Sequence, residues 1–222
     1  MMDLALSGGW IVVFAFGVSA CVALRAFGVP STYVRDVLHI GTGVWVLGWP
    51  MWTDRALPIA ITVIAAIGIA ILPRVAQRIP AAGKLVRAVT GDDEHWGGLV
   101  LYTIAYALFT AIGVVRDPFP AAAALLALSL GDGIGGAVGR VTGTHYFRAP
   151  GGKRKSYEGS IVVALGAAAG VLVAAKVLGV SIAWPLPIVA GIVAALAEAF
   201  APRGTDNLIV PIAVWTAIQL VT

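Results

Sequence analysis

Residues 97–140 read GGLVLYTIAYALFTAIGVVRDPFPAAAALLALSLGDGIGGAVGR, and they decide what kind of chain this is. Gly97–Val115 carries no charge. Arg116, Asp117 and Pro118 interrupt, and a second apolar run, Phe119–Val138, is broken only by Asp132. A bilayer core takes about 20 apolar residues as helix, so the pair reads as two membrane spans joined by a tight turn. Working outward, six more runs qualify: Gly8–Ala26, Val37–Trp52, Leu57–Leu72, Ile161–Leu178, Ile182–Phe200 and the short Leu208–Val221. The whole chain agrees. Of 222 residues, 59% are hydrophobic and 12% charged, with a mean hydropathy of +0.94, whereas about a quarter of a soluble domain is charged. The expected fold is all-α: a polytopic membrane helix bundle of about eight transmembrane helices, one domain over residues 1–222. The first run reads as a span and not a cleavable leader. The single cysteine, Cys21, excludes an intrachain disulfide.

The placement of charge sets the orientation. Between the eight runs lie seven loops. The odd loops hold Arg25, Arg35, Arg74, Arg78, Lys84, Arg87, Arg140, Arg148, Lys153, Arg154, Lys155 and Arg203. The even loops hold Arg55, Arg116 and Lys176. Basic residues accumulate in cytoplasmic loops, so the odd loops are expected inside and both termini outside. The basic pI, near 9.5, follows from topology and from contacts with anionic head groups or phosphate; no nucleic-acid partner is expected. All three histidines and most acids fall on the same cytoplasmic side. That concentration is more than a structural bundle needs, and a translocating pore would want polar groups at its midplane.

Four stretches carry the polar chemistry. In SLGDGIGGAVGRVTG (129–143), Asp132 lies about 12 Å along the helix from Arg140. A carboxylate there is costly unless paired, hydrated or metal-bound. The glycines around it, Gly133 among them, either let helices approach closely or let backbone N–H groups approach a phosphate. In GGKRKSYEGS (151–160), Lys153, Arg154 and Lys155 precede Ser156, a good N-cap. They read as a topology signal or, with a helix N-terminus, as an anion site. Glu158, directly after them, suggests a specific network or a metal ligand. In EAFAPRGTDNLIVP (198–211), Glu198 is an acid inside a span, and Asp206 and Asn207 stand where helix caps do. In RDVLHIGTG (35–43), Arg35 and His39 share a helix face, and His39 can act as a base or bind phosphate. GDDEHWGG (91–98) reads as a solvated acidic loop, with a metal role as the lesser alternative. Hard-metal ligands, phosphate ligands and a histidine at one membrane face make the parts list for phosphoryl or nucleotidyl transfer. There is no P-loop.

These four stretches, in this order from Arg35 to Pro211, resemble the phytol, dolichol and polyprenol kinases, membrane enzymes distantly related to the phosphatidate cytidylyltransferases. The resemblance implies transfer of the γ-phosphate of CTP, with Mg²⁺, to an isoprenoid alcohol of the bilayer. It places Asp132, Lys155, Ser156, Glu158, Glu198, Asp206 and Asn207 in the site. Asp132 and Glu198 would organise the metal and act with His39 in catalysis. Arg140, Lys153, Arg154, Lys155, Ser156, Gly133, Arg35 and Asn207 would hold the nucleotide. The expected setting is the cytoplasmic membrane of a prokaryote, with the site on the cytoplasmic side. Two positions depart from the family pattern. Gly136 stands where many members have a second acid, so Glu158 or Asp206 is expected to complete the metal shell. Asp36 stands where a basic residue is common. The competing readings are a cytidylyltransferase making a CDP-lipid, a diacylglycerol kinase, and a non-enzymatic lipid transporter.

Overall fold

A computed structural model describes residues 1–90, 96–149, 154–202 and 204–221. Each of the eight apolar runs coincides for most of its length with helix. Five helices are long and apolar enough to cross a membrane: α1 (Met2–Ala26), α4 (Ala56–Ala76), α6 (Trp96–Val115), a continuous rod over Pro118–Thr142, and α9 (Tyr157–Leu178). The rod comprises α7 (Pro118–Leu126), a π-helical turn (Ala127–Asp132) and α8 (Gly133–Thr142). Two shorter apolar helices, α10 (Pro185–Phe200) and α11 (Asp206–Val221), close the chain.

The second run does not form one straight helix. It divides into α2 (Ser31–Thr42), the single turn α3 (Val44–Leu47) and a 3₁₀ turn (Trp49–Met51). Gly43, Gly48 and Pro50 punctuate it. Gly43 is required by packing, since a Cβ there would run into the Ser129 hydroxyl; at Gly48 it would meet the Trp10 ring. Two further elements were not legible in the sequence. The third loop holds an amphipathic helix, α5 (Pro80–Val89), with Gly83, Ala88 and Val89 buried and Lys84 and Arg87 exposed. The other is a small antiparallel hairpin, β1 (Tyr146–Arg148) with β2 (Arg154–Ser156), registered Tyr146 to Ser156 and Arg148 to Arg154, in a fold that is otherwise all-helical as expected.

The rod is the centre of the bundle. Ala121–Leu125 is fully buried, while α1 and α4 keep long aliphatic side chains such as Ile11, Phe16, Ile64 and Ile67 exposed on their outer faces. Small residues let α9 lie against the rod at backbone distance. A Cβ on Gly166 would sit 2.7 Å from the Leu130 carbonyl oxygen, and one on Gly170 would sit 2.8 Å from that of Leu126. From the other side, Gly131, Gly135 and Gly139 leave room for Val163, Ala167 and Gly159 of α9. The second neighbour is α2, running antiparallel. Gly43 meets Ser129, Gly133 meets His39 and Ile40, and Gly136 lies beside Asp36. The rod's two packed faces therefore hold its polar end between α2 and α9. Gly170→Ala should cost about 1–3 kcal/mol by overpacking, read as a lower thermal midpoint in detergent. Gly17→Ala, on α1 with nothing within 4 Å, should leave the midpoint unchanged.

Candidate functional site

Six helix ends and the hairpin meet at one end of the bundle, and the polar residues collect there. His39, at the inner face of α2, is 4% exposed. Its Nε2–H donates to Asn207 Oδ1 of α11 at 3.0 Å, and Asp132 Oδ2 of the rod lies 3.6 Å from the same nitrogen. Its Nδ1 faces the Arg35 carbonyl oxygen at 3.2 Å. Asn207 is oriented in turn, because its amide N–H donates to the Gly98 carbonyl of α6 at 2.9 Å. Asn207 is thus more than a helix cap: its side chain leaves α11 and ties α2 to α6. Tyr102 of α6 stacks on the imidazole with ring centroids 4.1 Å apart, and its hydroxyl donates to the His39 carbonyl at 3.2 Å and also meets the Thr42 hydroxyl. The π turn ends at Asp132; such turns are frequent at functional sites.

A second cluster adjoins the first. Lys155, on β2, donates to both the carboxylate and the carbonyl oxygen of Glu198 on α10. Both side chains are about 14% exposed. Glu198 also feels the charges of Asp132 and Asp206, so the three acids share one electrostatic neighbourhood. The Asp206 charge reaches His39 as well. Beside this lies a cleft of about 440 Å³, whose lining includes Gly136, Arg140, Arg154, Lys155, Ser156 and Glu198. Ser156 caps α9 as expected, its hydroxyl accepting the Gly159 N–H at 3.1 Å. Arg140 pairs with Asp36 and lies over the Tyr33 ring, 5.2 Å from its centroid. Arg154 lies 3.9 Å from the centroid of Tyr146. The Arg35 charge acts on both His39 and Arg140.

Some expected members are placed differently. Gly133 packs against His39 and Ile40 instead of lining the cleft. Glu158 turns to the hairpin: it accepts from the Thr144 hydroxyl at 2.7 Å and the His145 N–H at 3.1 Å, with His145 Nδ1 at 2.8 Å. The helical repeat explains this. Ser156, Gly159, Ser160 and Val163 share the cleft face of α9, and Glu158 is rotated away from that face. It clasps the hairpin to α9 and faces away from the cleft. Lys153 and the GDDEH stretch lie outside the described residues.

Three participants were missed. Asp36 reaches across to Arg140 and sits 3.7 Å from where a Cβ on Gly136 would be. The acid absent at 136 thus has a carboxylate as its spatial neighbour, supplied by α2. Tyr102 and Gly98 build the seat of His39 and Asn207. The available signal was Tyr102 and Tyr106, four residues apart in a run with few other polar groups.

Among the described residues, no three His, Cys, Asp or Glu side chains form a preassembled metal cage. Mg²⁺ needs none, since it is commonly held by one or two carboxylates together with substrate phosphates, and Asp132, Glu198 and Asp206 offer those carboxylates. No family model, curated protein or solved structure matches the chain.

Lys155→Met should leave Glu198 buried without its cation, at a cost of about 3–5 kcal/mol. Lys155→Met with Glu198→Leu should recover most of that loss in thermal unfolding. A double variant no more stable than Lys155→Met would show that the pair does not support the fold.

Proposed function

We propose that this chain is a membrane lipid-alcohol kinase, transferring the γ-phosphate of a nucleoside triphosphate, CTP by the motif resemblance, to an isoprenoid alcohol. The observation that carries the reading is the meeting, at one end of an apolar bundle, of the Asp132–His39–Asn207 cluster with a cleft bordered by Arg140, Arg154 and Lys155. The cations and the capped N-terminus of α9 suit triphosphate oxygens. The bilayer supplies an acceptor too apolar for solution.

In this scheme the alcohol oxygen attacks the γ-phosphorus. The bond from that phosphorus to the β–γ bridging oxygen breaks, and the nucleoside diphosphate leaves. The alcohol proton passes to Asp132. His39 is the orienting partner and not the base, because its Nε2–H is committed to Asn207. Lys155, Arg154 and Arg140 bind phosphate, and Lys155 can exchange its Glu198 contact for a phosphate oxygen. Asp132, Glu198 and Asp206 are the residues that would hold Mg²⁺, which when bound offsets the charge of the phosphates.

Purified protein given γ-labelled CTP, Mg²⁺ and a panel of prenols should transfer label to one of them, and Asp132→Asn should reduce the rate at least a thousandfold. Glu158→Gln should retain Mg²⁺-dependent activity. Label reaching lipid from the α-phosphate would replace this reading with a cytidylyltransferase, and transfer to diacylglycerol alone would change the acceptor.

We further propose eight membrane crossings with both termini outside and the site on the cytoplasmic side. The broken α2–α3 segment, α10 and α11 then count as crossings beside the five long helices. The bias of twelve basic residues in odd loops against three in even loops supports this. A cysteine at Arg148, exposed on β1, should react with impermeant reagent from the cytoplasmic side, and one at Thr53, also exposed, from the other. The reverse pattern would invert the topology.

A further inference from the structure

We propose that a second cleft, at the end of the bundle opposite the Asp132 cluster, binds the phosphate of a lipid headgroup. This cleft measures about 460 Å³ and is bordered by Trp49, Trp52, Arg55 and Arg116. Two guanidinium groups and a single carboxylate, that of Asp54, stand in its lining. The Arg55 guanidinium rests on the Val115 carbonyl at 3.5 Å, which holds it between the start of α4 and the end of α6. Arg116 touches Asp117 at 3.7 Å and is otherwise open to solvent. The indole N–H groups of Trp49 and Trp52 are buried and have no hydrogen-bond partner among the described residues. Trp49 is fixed by its fit against Gly113, where a Cβ would strike the ring.

Asp54, itself part of the lining, and Asp3 nearby already accept hydrogen bonds. Asp54 accepts the N–H groups of Ala56 at 2.7 Å and Leu57 at 3.4 Å and so starts α4. Asp3 accepts from the Thr53 backbone N–H at 2.9 Å and from its hydroxyl. Two guanidinium groups, which can only donate, therefore border one cleft. A ligand built of acceptor oxygens complements them, and phosphate oxygens suit guanidinium forks. The setting favours a lipid carrier, since indole rings sit at headgroup level. Arg55 and Arg116 are also two of the three basic residues in the even loops. Topological bias works against cations at that end, and both border the same cleft.

The test is native mass spectrometry of the full chain in detergent with phosphatidylglycerol, using diacylglycerol as the phosphate-free lipid. Wild type and Lys176→Gln, the third cation of that end, should retain phosphatidylglycerol. Arg55→Gln with Arg116→Gln should retain it at least tenfold more weakly, and none should retain diacylglycerol selectively. Displacement by millimolar inorganic phosphate would identify free phosphate as a second source of the same ligand chemistry; persistence would identify the lipid form. Equal retention by wild type and the double variant, or equal retention of the phosphate-free lipid, would overturn the proposal. Circular dichroism checks that the double variant folds. If it does not, Arg116→Gln alone carries the comparison, because that side chain is 84% exposed. The outcome does not depend on the kinase reading.

Discussion

The close approach of the central rod to α9 is the contact on which the rest of the bundle rests. In a bilayer the hydrophobic effect does little to bring helices together, so association depends on packing at short range. Glycines on both partners provide it: Gly131, Gly135 and Gly139 on the rod, and Gly159, Gly166 and Gly170 on α9. With larger residues the two helices would separate. Ser156 would then leave its place beside Gly139 and Gly143, and the hairpin, held to α9 through Glu158 and to α10 through Lys155, would move with it.

A second constraint is that charge inside an apolar bundle must be answered locally. Asp36 answers Arg140, Glu198 answers Lys155, and Asp132 lies against His39. Each pair joins different elements: α2 to α8, β2 to α10, and the rod to α2. The charges therefore act as cross-links. Removing one member leaves its partner in a medium that solvates charge poorly, which is why such groups mark function when they occur in membranes. Asn207 does the same work without charge by satisfying two elements at once.

Much of this was legible in the sequence, and the failures have physical causes. Apolar run length is a strong signal because the bilayer sets it, so each of the eight runs is mostly helix. Asp132 and Glu198 stood out because isolated acids in apolar runs are costly. The glycines were ambiguous, since the residue that permits helix contact also permits phosphate approach; the structure assigns Gly133 to packing and sets Gly136 beside the cleft. Glu158 was misjudged because adjacency to basic residues says nothing of which helix face a side chain takes. The Asp36–Arg140 pair was invisible because it joins residues more than a hundred positions apart. The break in the second run could have been suspected from Gly43, Gly48 and Pro50. The hairpin left no readable pattern, because two three-residue strands are too short for alternation to show.

The burial of the central rod also bears on how the protein is made. Of the five long helices it is the least apolar and the most enclosed, 67% buried against 11% for α1 and α4. Arriving alone in lipid, it would expose Asp132, the π turn and a row of small side chains to hydrocarbon, which rewards none of them. The order of the chain answers this difficulty. The greasier α1, α4 and α6 leave the ribosome first, and α6 packs directly on the rod. The least lipid-loving segment thus meets a waiting protein surface, and α9 closes its other side soon after synthesis.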